Sequence, residues 1–289
     1  MSSYYYNPHQ YSPYQRRSWS DAIKSFFRSG SVLLWLLVSN VGIWICICLA
    51  SLVAWLYKIP TERVESLISN YLAIPAFVPK LFDRFWTPLS YMFLHFDFWH
   101  IFINMLWLYW FGRIFLEFLS SGKLLRVYLW GGVFGALFFI LSFNIFPVFE
   151  SIRFDAYAFG ASASVMAVMA AVSFYVPRYT LNLFFLGRIR LIWIALVYIA
   201  IDLLSIRHGN AGGHIAHIGG AFFGFLYALN LKKKKRKKTT SYRYTDDELY
   251  NIQKKQQQEE IDRILDKISK HGYDLLSKKE KETLFQKSY

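Results

Sequence analysis

The chain has 289 residues, of which 55% are hydrophobic and only 18% are charged, and its mean hydropathy is +0.24. About a quarter of the residues of a typical soluble domain are charged, so this composition excludes an ordinary soluble globular protein. The net charge of +14 includes a run of seven basic residues at 232–238. This run directly follows an apolar segment, which favours the cytoplasmic end of a membrane helix over nucleic-acid binding.

The N-terminal residues 1–30 are rich in Tyr, Ser and Arg and show little periodicity. They predict a flexible cytoplasmic arm without a signal-peptide cleavage site. The two cysteines, Cys46 and Cys48, lie in the first apolar stretch. Without a nearby His or Asp, they are interpreted as small hydrophobic residues, and neither a metal site nor a disulfide framework is expected.

Six apolar segments follow, several of them long enough to cross about 30 Å of hydrocarbon at about 1.5 Å per residue. They lie at 32–57, 89–111, 124–146, 157–176, 183–204 and 212–231. Within lipid, a helix satisfies its own backbone polar groups one segment at a time. The sequence therefore predicts an all-α fold, a polytopic bundle of six transmembrane helices over 31–231.

Lys and Arg residues are more frequent in the connections that would lie on the same side as the N-terminus, which predicts that both termini are cytoplasmic. The connection at 58–88 is long and semi-apolar. It predicts a partly helical element in the membrane interface, with Trp86 as an aromatic anchor.

The C-terminal part differs in composition from the rest. A basic linker at 232–244 precedes a polar, Gln-rich tail at 245–289. Apolar residues at helical spacing, Gly272 as a helix stop, and a capping box from Ser277 to Glu280 predict a small soluble cytoplasmic tail of two helices.

Polar side chains inside membrane segments are costly and mark candidate functional sites. If the N-terminus is inside, segments two, four and six run in the same direction, so His100, Asn104, Ser162 and His217 lie at a similar depth near the outer face. A serine hydroxyl becomes a nucleophile when a neighbouring histidine takes its proton. His100 and Asn104 are four residues apart and share a helix face, so either could donate to an oxyanion together with the backbone N–H of Ser162.

Three short motifs resemble those of the rhomboid intramembrane proteases, over about 84–230. The matching residues are Gly160, Ser162 and Ala163 in the Gly-x-Ser-Gly motif, His217 in the histidine motif, and His100 and Asn104 in the His-x-x-x-Asn motif. Ala163 departs from the family's second glycine. In the sixth segment, Gly220 and Gly224 form a GxxxG pattern that allows close packing of two membrane helices.

The resemblance implies a serine endopeptidase of the bacterial six-span type, in the bacterial cytoplasmic membrane, which cuts transmembrane protein substrates in or near the bilayer. Ser162 would be the nucleophile and His217 the general base and acid. His100, Asn104 and Gly160 would serve the oxyanion and the substrate. No metal or organic cofactor is implied, and no oligomeric state is predicted.

Two other functions compete with this one. One is a catalytically inactive rhomboid-like protein that binds membrane helices. The other is a small-solute transporter, which the lack of an internal repeat disfavours. Among the remaining polar residues, Ser164 is the alternative nucleophile, His214 is interpreted as a rim residue, and Asp202 as an interfacial residue. No acidic third member of the Ser–His pair is expected.

Overall fold

The computed structural model describes residues 31–183, 187–241 and 246–285. The predicted arm at 1–30 lies outside this part of the chain. The chain divides into two compact units, one up to Lys232 and one from Lys233 onwards. In the first unit a helix lies in each of the six predicted apolar segments, and the all-α polytopic bundle is confirmed.

The helices of the described residues are numbered in chain order. They are α1 (Val32–Leu56), α2 (Thr61–Leu72), α3 (Val78–Asp83), α4 (Thr87–Ser90), α5 (Phe98–Phe118), α6 (Ser121–Ile145), α7 (Ser162–Tyr175), α8 (Leu191–Ser205), α9 (Ala211–Ser241), α10 (Asp246–His271) and α11 (Lys278–Phe285). Two short antiparallel strand pairs, which the sequence did not predict, are β1 (Ile74–Pro75) with β2 (Tyr157–Ala158), and β3 (Thr180–Leu183) with β4 (Gly187–Arg190).

Five helices of the described residues are long and apolar enough to cross a membrane. They are Val32–Leu56, Phe98–Phe118, Ser121–Ile145, Leu191–His208 and Ala211–Lys233. The helix α7 is shorter, with 14 residues. At about 1.5 Å per residue it is roughly 21 Å long, which is less than the hydrocarbon thickness of about 30 Å.

The short helix α7 forms the centre of the bundle. Its sequence consists mainly of Ala, Val, Ser and Met, and every residue from Ala163 to Ser173 is buried. These small side chains allow α6 and α9 to approach closely. A Cβ atom at Gly131 of α6 would overlap the side chain of Ala167, and one at Gly220 of α9 would overlap the backbone oxygen of Ala163. The predicted close packing of α9 against α7 is therefore observed.

The long connection between α1 and α5 contains α2, α3 and α4, which agrees with its predicted partly helical character. Arg84 ties this connection together: its Nη1 donates to the backbone oxygen and to Oδ1 of Asn70. Lys80 joins it to the segment before β2, where its Nζ donates to the backbone oxygen of Phe154 (2.7 Å). Trp86, the predicted anchor, is 39% exposed, and its Nε1 donates to the backbone oxygen of Tyr71 (2.8 Å).

The basic run predicted as a linker at 232–244 instead continues α9 as far as Ser241, and residues 242–245 lie outside the described part. In the second unit the predicted helix stop is confirmed, because α10 ends at His271 and Gly272 has a positive φ of 83°. The predicted capping box is confirmed as well. The backbone N–H of Ser277 donates to Oε2 of Glu280 (2.7 Å), and that of Glu280 to Oγ of Ser277 (3.3 Å).

The capping box and a salt bridge join the two helices of the second unit. Lys267 of α10 lies 3.0 Å from Oε1 of Glu280. The hydrogen bond from the backbone N–H of Ser277, with a further contribution from Lys267, lowers the pKa of Glu280 to about 2. Ile264 and Leu276 are buried within the unit.

Candidate active site

Ser162 is the first residue of α7, and the segment that precedes it is held in place by the bundle. The backbone N–H of Gly160 donates to the oxygen of Tyr91 (2.9 Å). The backbone N–H of Ala161 donates to Nε2 of His95 (3.3 Å). The pair β1–β2 fixes the chain just before these residues. Ser162 is therefore presented at the end of a helix by a supported turn.

His95 has a supporting function that the sequence did not predict. The residue is fully buried in the connection that precedes α5. Burial, with a smaller contribution from the neighbouring His100, lowers the pKa of His95 to about 3. A neutral imidazole has a ring nitrogen that can accept a hydrogen bond. His95 thus supports the turn before Ser162.

Gly160 allows the ring of His100 to lie against this turn. Its φ of +117° is a conformation that other residues rarely adopt. A Cβ atom at this position would lie 2.8 Å from Cε1 and 2.9 Å from Nε2 of His100. Backbone conformation and space both require glycine here.

The four polar residues singled out in the sequence line a single cavity of about 500 Å³. They are His100 and Asn104 of α5, Ser162 of α7 and His217 of α9. Most of the remaining wall is apolar or aromatic. Within the described part of the chain, Ser162 and His217 share this cavity without a hydrogen bond between their side chains. Such contacts are often long in unliganded sites and shorten when substrate is bound.

Groups that can donate hydrogen bonds line the same cavity as Ser162. The first N–H groups of a helix have no partner within the helix, so the N–H of Ser162 is free to bind an anion. Asn104 is buried, and its Nδ2 donates one hydrogen bond to the backbone oxygen of His100 (2.8 Å). The second hydrogen of this amide can therefore be donated to a substrate. The arrangement is suited to a developing oxyanion.

Ser164, the alternative nucleophile, points elsewhere. Its side chain is fully buried, and a Cβ atom at Gly132 of α6 would lie 2.6 Å from its Oγ. Ser164 therefore faces α6 and is not part of the cavity wall.

The sequence missed a carboxylate beside His217. Asp202 of α8 is only 3% exposed, and its interpretation as an interfacial residue did not include a contact with the site. Its Oδ1 accepts from Nδ1 of His217 (2.9 Å) and from Nδ1 of His214 (2.7 Å). One signal could have revealed it: Asp202 lies near the end of the fifth segment, next in the chain to the start of the sixth. The two positions therefore have a similar depth.

The same cluster contains three atoms that could bind a metal ion, one each from Asp202, His214 and His217. These atoms lie within 4.8 Å of one another. Both Nδ1 atoms are already directed at the same carboxylate oxygen. His217 further lines the cavity that contains Ser162. Proton transfer and charge stabilisation are the chemistry that this arrangement favours.

Comparisons with known proteins match both units. The rhomboid domain family matches residues 83–234, and a family of unknown function (DUF6576) matches residues 244–288. RHOMBOID-like protein 12, mitochondrial, from Arabidopsis thaliana is 26% identical over 222 residues, 73% of this chain and 61% of that protein. Rhomboid protein 1, mitochondrial, from Saccharomyces cerevisiae is 27% identical over 149 residues, 49% of this chain and 40% of that protein.

The chain thus spans less than two thirds of the length of these two relatives. The rhomboid match itself contains α5 to α8 and most of α9, and so every residue that lines the cavity around Ser162. Its apolar helices make the chain an integral multi-pass protein in a lipid bilayer. Because the family match covers more than half of the chain, this protein belongs to the rhomboid family.

Proposed function

We propose that the protein is an intramembrane serine endopeptidase that cleaves transmembrane protein substrates, with Ser162 as nucleophile and His217 as general base and acid. One observation carries the proposal. A hydroxyl at the start of α7 and an imidazole from α9 line the same cavity, next to two polar side chains of α5. Nucleophile, base and oxyanion donors are the groups that acyl transfer requires.

The reaction proceeds in two halves. Oγ of Ser162 attacks the carbonyl carbon of the scissile peptide bond while Nε2 of His217 takes the hydroxyl proton. The negative oxygen of the tetrahedral intermediate is stabilised by the N–H of Ser162, with His100 and Asn104 as further donors. His217 then gives its proton to the leaving amine as the C–N bond breaks. Water attacks the acyl-enzyme in the same manner and releases Ser162.

The apolar walls of the site support a membrane-embedded substrate. The cavity around Ser162 shares Trp107 and Tyr198 with a second, apolar groove of about 790 Å³ between α5 and α8. The rings of these two residues are in contact, with centroids 5.6 Å apart. A segment rich in apolar side chains is the substrate class that such surfaces bind.

Cleavage of a single-span test protein by the full chain, reconstituted in proteoliposomes, tests the proposal. We expect wild type to cleave, and Ser162→Ala and His217→Ala to lose activity by at least about 10³-fold, as for other serine proteases that lack a catalytic residue. Ser164→Ala serves as the matched control and should retain activity. Equal product from wild type and Ser162→Ala would instead favour an inactive rhomboid-like protein that binds membrane helices.

A further inference from the structure

We propose that Asp202 is a positioning residue for His217, so that the proposed Ser–His pair works as a triad. This inference rests on the proposed function and adds a third participant to it. The observation is the hydrogen bond from Nδ1 of His217 in α9 to Oδ1 of Asp202 in α8, at 2.9 Å.

The hydrogen bond fixes which nitrogen of His217 is able to act as a base. A carboxylate oxygen can only accept, so the proton of neutral His217 is held on Nδ1. The lone pair then resides on Nε2, the other ring nitrogen, where it can take the proton of Ser162. When His217 becomes positively charged, the nearby carboxylate stabilises it.

The burial of Asp202 also favours this function. The residue lies in the highly apolar helix α8, and only 3% of its surface is exposed. Its second oxygen, Oδ2, has no hydrogen-bond partner among the described residues. A buried carboxylate is costly unless it is paired, and a neutral Asn would join two helices at a lower cost. The presence of a carboxylate and not an amide is therefore explained by its effect on His217, whose Nδ1 proton it accepts and whose charged form it stabilises.

His214 is the second partner of the same oxygen, at 2.7 Å. It lies one turn before His217, and its side chain is 23% exposed. With two donors on Oδ1, the carboxylate is held against α9 from two points. His214 thus orients Asp202, which in turn orients His217.

The experiment uses the full chain in detergent and measures two rates. One is covalent labelling of Ser162 by a fluorophosphonate probe, and the other is cleavage of a single-span test protein. In Asp202→Asn, an amide can donate to Nδ1 and so favours the wrong tautomer of His217. We expect both the labelling rate and kcat to fall by about 10²- to 10⁴-fold, with KM changed by no more than about twofold.

Matched variants separate positioning from folding. Asp202→Glu restores a carboxylate and should recover at least about tenfold of the loss. Tyr128→Phe removes the two buried hydrogen bonds of its hydroxyl, which accepts from Asn40 and donates to the backbone oxygen of Met92, and it should leave the labelling rate unchanged. Because Asp202→Asn could fail to fold, ¹⁵N-histidine NMR of the wild-type chain gives an independent measurement. The expected result is a neutral His217 with its proton on Nδ1.

Several results would overturn the inference. These are labelling of Asp202→Asn within about threefold of wild type, a loss confined to KM, no recovery with Asp202→Glu, or a His217 protonated on Nε2. A change of the wild-type rate on addition of EDTA would make Asp202 a metal ligand instead. If the wild-type protein is neither labelled nor active, the proposed function fails. If the wild-type protein is labelled and Asp202→Asn is labelled equally well, only the proposed role of Asp202 fails.

Discussion

At the scale of single residues, the site depends on a few backbone positions as much as on its polar side chains. Gly160 is the clearest case, because it combines a positive φ with close contact to His100. His100 in turn lines the cavity beside Ser162. A side chain at position 160 would therefore displace the imidazole of His100 and so change the geometry of the site.

Gly160→Ala should lower the cleavage rate on the order of 10²-fold, because the ring of His100 has to shift and misplacement by about 1 Å has an effect of this size. Gly209→Ala is the matched control. Gly209 also has a positive φ, of 106°, but a Cβ atom there would meet nothing within 4 Å. Both variants should be destabilised by about 1–3 kcal/mol. Cleavage assays and thermal unfolding check this, and equal activity of the two variants would contradict it.

The polar residues of the cavity could be predicted from the sequence because their depth follows from helix direction. His100, Ser162 and His217 lie near the same end of three parallel segments, and a polar group in lipid is conspicuous. Depth places Asp202 near His217, but it does not show that Asp202 and His95 form hydrogen bonds with His217 and Ala161. Each depends on which side chains of two different segments face one another, and that is set by packing.

At the scale of the elements, the approach of α9 to α7 brings His217 towards Ser162. Gly220 lies one turn after His217, and Ala163 directly follows Ser162. Because a Cβ atom at Gly220 would overlap the backbone oxygen of Ala163, any side chain there would separate the two helices. Stability and chemistry depend on the same contact.

Gly220→Ala should destabilise the protein by about 1–3 kcal/mol, the usual cost of forcing extra atoms into a packed core. It should also reduce cleavage, since His217 moves away from Ser162. Gly42→Ala in α1 is the control, because a Cβ atom there would contact nothing within 4 Å. Unfolding curves in detergent and rate measurements on both variants provide the check. A Gly220→Ala variant as stable and active as Gly42→Ala would refute the packing argument.

The presence of the helices was predicted more accurately from the sequence than the residues at which they begin. The second segment was expected from residue 89, but α5 starts at Phe98, after Asp97 caps it by accepting from the N–H of Trp99. The apolar run continues through α4 and the turn Tyr91–Phe93, so hydropathy cannot separate them from the span. The fourth segment was similarly extended into β2. A local cap at Asp97 sets the first of these boundaries and the pairing of β2 with β1 sets the second, and hydropathy records neither.

At the scale of the whole molecule, the distribution of basic residues indicates an orientation in the membrane. The connection after α7 contains Arg178, Arg188 and Arg190, and the run at 232–238 lies in the C-terminal part of α9. Positively charged connections remain on the cytoplasmic side. We therefore propose cytoplasmic termini, with Ser162 nearer the opposite face.

Thiol labelling in sealed vesicles tests this orientation. In a chain with Cys46 and Cys48 replaced, a cysteine at the exposed position Arg207 should react with a membrane-impermeant reagent from the outer side. A cysteine at the exposed position Arg178 should react only after the vesicles are opened. The reverse pattern would invert the topology and place the entrance of the cavity on the cytoplasmic side.

The shortness of α7 has a consequence for the water that hydrolysis consumes. The helix is roughly 9 Å shorter than the hydrocarbon layer, since its 14 residues extend about 21 Å. Every residue of α7 from Ala163 to Ser173 is buried, so the helix ends below the surface of the layer within the bundle. We infer that water fills the space beyond its first residue, where the cavity around Ser162 lies. A peptide bond that enters this space would then be hydrolysed by water at the concentration of the aqueous medium and not by the trace dissolved in a membrane.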